Sequence, residues 1–142
     1  MRHFEGLDEL SEIKKLGFLL ILVTNQPDIE RGIIPAAFVE ELNQFYQKRF
    51  NLDAAYCCPY ASNVHPMKKP NPGMFLQAAK DFSLDLSKSF HLGDTERDIE
   101  AAMRCGCKSI LLDRPYNKGL KADLRITSLK ELHTLLISET EK

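Results

Sequence analysis

Short apolar runs alternate along the chain with segments in which apolar residues recur at helical spacing. The unbroken apolar run at residues 18–23 predicts a strand that is buried on both faces, as in a parallel sheet covered by helices. Residues 109–112, a serine followed by three aliphatic residues, predict another short buried strand. Shorter runs predict further strands at 54–58, 90–92 and 124–126. Strands that alternate with helices indicate an α/β fold in which right-handed crossovers join parallel strands.

The intervening segments carry the helical pattern. Helices are predicted at residues 7–16, from Ala36 to about Phe50, and at 73–82, 95–104 and 129–137. Residues 59–72 contain four prolines and are predicted to form a loop. A chain of 142 residues with this pattern is expected to form a single domain over residues 1–142.

Composition narrows the class of protein. The chain is 44% hydrophobic and 27% charged, and its formal net charge of -1 gives no reason to expect nucleic acid or a membrane as a partner. The first residues lack the apolar region of a signal peptide, and the apolar run at 18–23 is too short to span a bilayer. The four cysteines, which are closely paired, do not resemble a disulfide framework, so we expect a reducing, cytoplasmic location.

The strongest candidate site follows the strand at 90–92, where Gly93 and Asp94 precede a helix. Ligands of open parallel sheets bind beyond the carboxyl ends of the strands, and Asp98 lies one helical turn after Asp94. Two such carboxylates suit a hard cation such as Mg²⁺. The segment from Thr95 to Asp98 is equally typical of a capping box at a helix start, so this segment alone does not decide between the two functions.

Two other polar segments lie at points where phosphate could bind. Thr24 and Asn25 follow the strand at 18–23, and their hydroxyl and amide groups can donate to phosphate oxygens, although both residues are common in turns. Lys68 and Lys69 precede Pro70, and a lysine held there can place its charge on a phosphoryl group. A solvated basic pair is the alternative.

The order of these motifs resembles the haloacid dehalogenase (HAD) superfamily of phosphotransferases. In this resemblance Thr24 matches the hydroxyl of the second motif, Lys69 the lysine of the third, and Asp94 with Asp98 the acids of the fourth. It implies a three-layer α/β/α, Rossmann-like parallel sheet with its first strand missing. The segments 22–26, 29–32 and 69–74 look most like the D-glycero-D-manno-heptose 1,7-bisphosphate phosphatases and their relatives, the histidinol-phosphate phosphatases.

The resemblance assigns roles to these residues. Thr24, Asn25, Gln26 and Lys69 would contact the substrate phosphate, and Lys68 could add a substrate contact. Asp94 would bind Mg²⁺, and Asp98 would orient Lys69 or a metal-bound water. The implied substrate is a small phosphorylated sugar, which is hydrolysed through an aspartyl phosphate.

Two departures from the family pattern change these expectations. The family begins with an Asp-x-Asp-Gly-Thr motif that contains the nucleophile, and this chain has no Asp-x-Asp. We therefore expect little or no activity and weak Mg²⁺ binding unless that motif is supplied. The family's zinc loop is also incomplete: Cys58 and His65 could be ligands, but Tyr60 and Met67 replace two others. We expect no zinc, because a structural site needs four ligands.

Three functions follow from these observations. The first is a phosphatase domain that needs the missing motif. The second is a pseudoenzyme that binds a phosphorylated ligand or a partner chain. The third is a receiver domain of the response-regulator type, against which the Lys-Pro-x-Pro-Gly segment at 69–73 argues.

The missing first strand also affects the predicted sheet. In the superfamily this strand lies between the strands at 18–23 and 90–92. Unpaired buried backbone groups cost roughly 1–3 kcal/mol each, so a dry gap is unfavourable. We expect the two strands to pair directly, and we expect the incomplete sheet to allow self-association.

Overall fold

A computed structural model describes residues 9–141 of the chain. All of its strand pairs are parallel, as the predicted α/β class requires, and that class is confirmed. In chain order the elements are α1 (Ser11–Lys14), β1 (Ile21–Asn25), α2 (Ala36–Arg49), β2 (Ala54–Cys58), α3 (Gly73–Phe82), β3 (Phe90–Gly93), α4 (Glu96–Cys105), β4 (Lys108–Leu112), β5 (Leu124–Ile126) and α5 (Leu132–Thr140).

The described strands form two sheets. One sheet pairs β1 with β2, and the other has the order β3–β4–β5, with β4 in the centre. The main apolar core lies on one face of the second sheet, where Ile110 and Leu112 of β4 pack with α1 and α5. Leu111 lies between them in sequence and therefore points to the opposite face, toward which α4 packs. It is fully buried.

Strand β1 begins at Ile21 rather than at residue 18, and it extends through Asn25. Asp53 explains the late start, because its carboxylate accepts a hydrogen bond from the Leu20 amide at 2.8 Å and its own amide donates to the Leu20 carbonyl at 2.7 Å. The regular ladder begins one residue later, with Ile21 opposite Ala54. The strand limits are therefore set by the partner β2 and not by the length of the apolar run.

The first predicted helix is shorter in the structure than its pattern suggests. It spans Ser11–Lys14, within the predicted range 7–16, and the predicted start at Leu7 lies outside the described residues. The other predicted helices and strands are present, with limits that differ from the predictions by a few residues.

The prediction that the first and third strands pair directly is wrong. Over residues 9–141, β1 is hydrogen-bonded only to β2 and β3 only to β4. Side chains meet where main chains were expected to pair: the rings of Phe18 and Phe90 contact edge to face at 5.9 Å. Helix α3 packs on β1, and its Phe75 meets His91 of β3. We use the term slot for the unpaired edges of β1 and β3.

Candidate active site

Asp98 is the centre of a buried polar cluster at the start of α4. One carboxylate oxygen lies 2.9 Å from the Lys69 ammonium and 3.0 Å from Nε2 of His91. The other oxygen accepts hydrogen bonds from the Thr95 hydroxyl at 2.8 Å and from the amides of Asp94 and Thr95. The two interpretations of the Thr95–Asp98 segment are therefore compatible, because Asp98 completes a capping box and also holds Lys69.

The environment of Asp98 determines its charge. Burial alone would raise the pKa of this carboxyl, but the hydrogen bond from His91 and the nearby charge of Lys69 outweigh it and hold the pKa well below its usual range. Asp98 is therefore ionised at neutral pH. Because a carboxylate can only accept hydrogen bonds, the Nε2 atom of His91 carries the proton.

Gly93 makes the close approach of Asp98 possible. A Cβ atom at this position would overlap the carboxyl group of Asp98. The glycine between β3 and Asp94 is thus explained by space and not by a left-handed backbone conformation, since its φ is not positive.

Lys69 connects the two sheets. The side chain of Asn25 donates to the Lys69 carbonyl at 3.1 Å and accepts from the Lys69 amide at 3.0 Å. The Lys69 ammonium reaches across to Asp98, and both side chains are less than one-sixth exposed. Asn25 therefore positions Lys69, while its direct contact with phosphate stays a prediction.

The other predicted substrate contacts, Thr24, Gln26 and Lys68, form hydrogen bonds within their own segments. The hydroxyl of Thr24 accepts a hydrogen bond from the side chain of Gln26 at 3.2 Å, so these two residues form one polar group at the end of β1. Lys68 is buried, and its ammonium donates to the carbonyl of Ala61 at 2.7 Å. A substrate contact by Lys68 would require its ammonium to leave this carbonyl.

Asp94 lies at the same edge but in a different set of contacts. Its carboxylate accepts a hydrogen bond from the Tyr116 hydroxyl, and its carbonyl accepts one from the Asn117 side chain at 2.9 Å. Asn117 is 1% exposed and also donates to the carbonyl of Leu112, which fixes the loop after β4 against Asp94.

The structure thus joins Asn25, Lys69 and Asp98 in one hydrogen-bonded chain and places Asp94 beside it through the Asp94 amide. Within residues 9–141 the Thr24 hydroxyl donates a hydrogen bond to the carbonyl of Asn25 at 3.5 Å, and no hydrogen bond from Thr24 to Lys69, Asp94 or Asp98 is found. Sequence reasoning missed His91 and Asn117. Nothing in the sequence marks His91 as functional except that it is a polar residue in a buried strand. Asn117 follows the carboxyl end of β4, and polar residues at that position of a parallel sheet are candidates for a binding site.

The predicted absence of zinc remains a prediction. Cys58 is fully buried at the end of β2, and the ring of His65 stacks on Tyr60 with centroids 4.0 Å apart. Nδ1 of His65 accepts a hydrogen bond from the Met67 amide at 3.1 Å.

Across residues 9–141 no helix is long and apolar enough to cross a membrane.

Comparison with known proteins places this arrangement in a family. Residues 66–125, which include Lys69, Asp94 and Asp98, match the HAD-hydrolase-like family model. The D-glycero-beta-D-manno-heptose-1,7-bisphosphate 7-phosphatase of Helicobacter pylori J99 is 37% identical in an alignment that covers 90% of this chain and 79% of the relative. The enzyme of that name from Photorhabdus laumondii is 32% identical over 89% of this chain and 77% of its own length.

The fold comparison agrees with the sequence comparison. The crystal structure of D,D-heptose 1,7-bisphosphate phosphatase from B. bronchiseptica, complexed with magnesium and phosphate, covers 94% of this chain with a TM-score of 0.78. The match covers 82% of that structure at 23% identity, so it shows the fold alone. The predicted HAD-like, Rossmann-like fold is confirmed.

Proposed function

We propose that this chain, which belongs to the D-glycero-beta-D-manno-heptose-1,7-bisphosphate 7-phosphatase family of HAD-like hydrolases, provides the phosphate-binding part of a phosphomonoesterase. The substrate class is a small phosphorylated sugar. The observation that carries the proposal is the Lys69–Asp98 ion pair at the carboxyl edge of two parallel sheets, with Asn25 holding the main chain of Lys69.

Lys69 and Thr24 would bind the phosphoryl group. The Lys69 ammonium would supply positive charge to the phosphoryl oxygens, and the hydrogen bond to Asp98 holds that ammonium in place. The Thr24 hydroxyl can rotate from its contact with Gln26 and donate to a phosphate oxygen. His91 holds the Asp98 carboxylate in place through a hydrogen bond from Nε2, so it is a positioning residue in this scheme.

The reaction needs a carboxylate nucleophile that the printed sequence does not contain as an Asp-x-Asp motif. We place it on an extended segment in the slot, where unpaired edges of β1 and β3 could receive a parallel strand. A carboxylate oxygen would attack phosphorus while the ester P–O bond breaks, and its electron pair goes to the sugar oxygen, which takes a proton from solvent to become a hydroxyl. Water then attacks phosphorus in the aspartyl phosphate and gives a proton to solvent, while the bond between phosphorus and the carboxylate oxygen breaks. This step releases phosphate and restores the carboxylate.

Magnesium fits this site only in part. Mg²⁺ requires about six oxygen ligands, and of the described carboxylates at this edge Asp98 is already committed to Lys69 and His91. Asp94 could provide one ligand, and residues 9–141 contain no group of three potential metal-binding side chains. The described residues do not complete a magnesium site, and none of the steps above is written through a bound metal ion.

A second candidate function is phosphate binding without hydrolysis. The specific observation in its favour is that the polar cluster is assembled around Lys69 while no Asp-x-Asp motif occurs in the 142 residues. In this case the domain would bind a phosphorylated sugar through Thr24 and Lys69 and release it unchanged.

One experiment separates the two candidates. Phosphate release from heptose 1,7-bisphosphate would be measured in MgCl₂ for the chain alone and for a fusion that carries an apolar strand ending in Asp-x-Asp-Gly-Thr before Met1. A fusion with Asn-x-Asn is the matched control. We expect turnover only in the Asp-x-Asp fusion and its loss in Lys69→Met.

Binding of the same sugar phosphate, measured by calorimetry, completes the test. Binding by the chain without turnover in either fusion supports the non-catalytic function. Turnover by the unfused chain would overturn the need for a supplied nucleophile, and binding unaffected by Lys69→Met would overturn the assignment of the site.

A further inference from the structure

Two cysteines meet at the junction of α4 and β4, away from the site described above. Cys105 is the last residue of α4, and Cys107 precedes β4 at Lys108. Gly106 between them has φ +83°, a left-handed conformation that ends the helix and that glycine adopts at little cost. This turn brings the two sulfur atoms to 3.4 Å from each other.

The two thiols lie in different surroundings. Cys107 is 8% exposed, whereas Cys105 is half-buried and accessible from solvent. The hydrogen bond with Cys107 lowers the pKa of the Cys105 thiol to about 7, and the same contact, together with burial, raises the pKa of Cys107. Cys105 is therefore the nucleophile of the pair, because the thiolate is the reactive form.

The other two cysteines of the chain provide a contrast. Cys57 and Cys58 are consecutive in β2, so their side chains point to opposite faces of the strand. Burial raises the pKa of Cys57, and Cys58 is fully buried. Both pairs are close in sequence, but only the pair at Cys105 and Cys107 has its sulfur atoms in contact.

We propose that Cys105 and Cys107 are a redox modification site at which a hydroperoxide forms an intrachain disulfide. The Cys105 thiolate attacks one oxygen of hydrogen peroxide, an S–O bond forms as the O–O bond breaks, and the released hydroxide takes a proton to become water. Cys105 is then a sulfenic acid. The sulfur of Cys107 attacks Cys105, and the S–OH bond breaks as the Cys107 proton and the hydroxide leave as a second water. One peroxide is reduced and two thiols are oxidised.

The chain as it exists can be tested with hydrogen peroxide and intact-mass spectrometry. We expect the loss of two hydrogen atoms, protection of Cys105 and Cys107 from iodoacetamide, and reversal of both by dithiothreitol. The double variant Cys57→Ser and Cys58→Ser is the matched control and should be oxidised in the same way. Cys107→Ser should instead accumulate a sulfenic acid at Cys105 that dimedone traps.

Alkylation kinetics give a second readout that does not depend on oxidation. At pH 7 iodoacetamide should react with Cys105 about tenfold more slowly in Cys107→Ala, because an unassisted thiol has a pKa of about 8.5. If Cys105→Ser still loses two hydrogen atoms on treatment with peroxide, the proposal is overturned. So would a wild-type product that gains oxygen at Cys105 without a disulfide, or one linked between two chains.

Discussion

Strands β1 and β4 each contain three consecutive aliphatic residues but lie in different surroundings. In β4 the residues Ser109–Leu112 are all buried, since β3 and β5 pair with its two edges and helices cover both faces. In β1 all five residues are only half-buried, because β2 pairs with one edge and the other borders the slot. Apolar sequence therefore shows that a strand is suited to a central position, and the number of paired neighbours decides how much of it is covered.

This difference predicts unequal contributions to stability. Leu111→Ala should lower the free energy of unfolding by about 3 kcal/mol, because it removes a fully buried side chain from the centre of the β3–β4–β5 sheet. Leu22→Ala in β1 is the matched change at a half-buried position and should cost about half as much. Urea unfolding of both variants checks the comparison, and equal losses would contradict it.

A smaller effect is expected at Gly93, the last residue of β3, which lies against the carboxyl group of Asp98. Gly93→Ala should cost about 2 kcal/mol, because the new Cβ displaces the Asp98 carboxyl from Lys69 and His91. Gly119→Ala is the control, since a Cβ there meets no atom within 4 Å. Unfolding curves would be measured together with the His91 side-chain NMR signals. Unchanged signals in Gly93→Ala would show that Asp98 is not held by this close approach.

The hydrogen bonds between Asn25 of β1 and Lys69 can be removed without changing a buried apolar side chain. Asn25→Ala removes two hydrogen bonds to the main chain of Lys69 and should cost about 1 kcal/mol. Asn25→Asp keeps the acceptor for the Lys69 amide and loses the donor, so its loss should be smaller. Hydrogen exchange should be faster in β1 and β2 and unchanged in β4 for Asn25→Ala, and uniform acceleration would argue against a local link.

The last comparison concerns the slope of stability against pH in acid. The pKa of Asp98 is lowered in the folded state, so its stabilisation is complete above the unfolded value of about 3.9 and is lost as the pH falls below it. Between pH 5 and pH 2, which are about one unit above and two below that value, Asp98→Asn should therefore lose stability less steeply than the wild type. Identical slopes for the two proteins would contradict the assigned ionisation.

Much of the fold could be predicted from local pattern. The strand at 124–126, the helix that begins after Thr95 and the helix at 73–82 depend on hydrophobic spacing and capping residues that lie within a few positions of each other. The start of β1 was missed because it depends on Asp53, a residue far along the chain that binds Leu20. Direct pairing of β1 with β3 was wrong because side chains, not main chains, meet at that boundary.

The sequence by itself determined the α/β class and the order of the elements, because these depend on residue type and local spacing. Lys69, Asp94 and Asp98 became site candidates through the order of their motifs and its resemblance to the HAD superfamily. Only the tertiary structure decided what each side chain contacts. It turned Asn25 toward the main chain of Lys69, directed Lys68 back to its own loop and brought His91 to Asp98. The Asn25 contact joins residues 44 positions apart, and the other two join residues 7 positions apart whose meeting depends on the path of a loop or of a strand-to-helix turn. Neither kind of contact follows from the regular spacing of apolar residues in a helix or a strand.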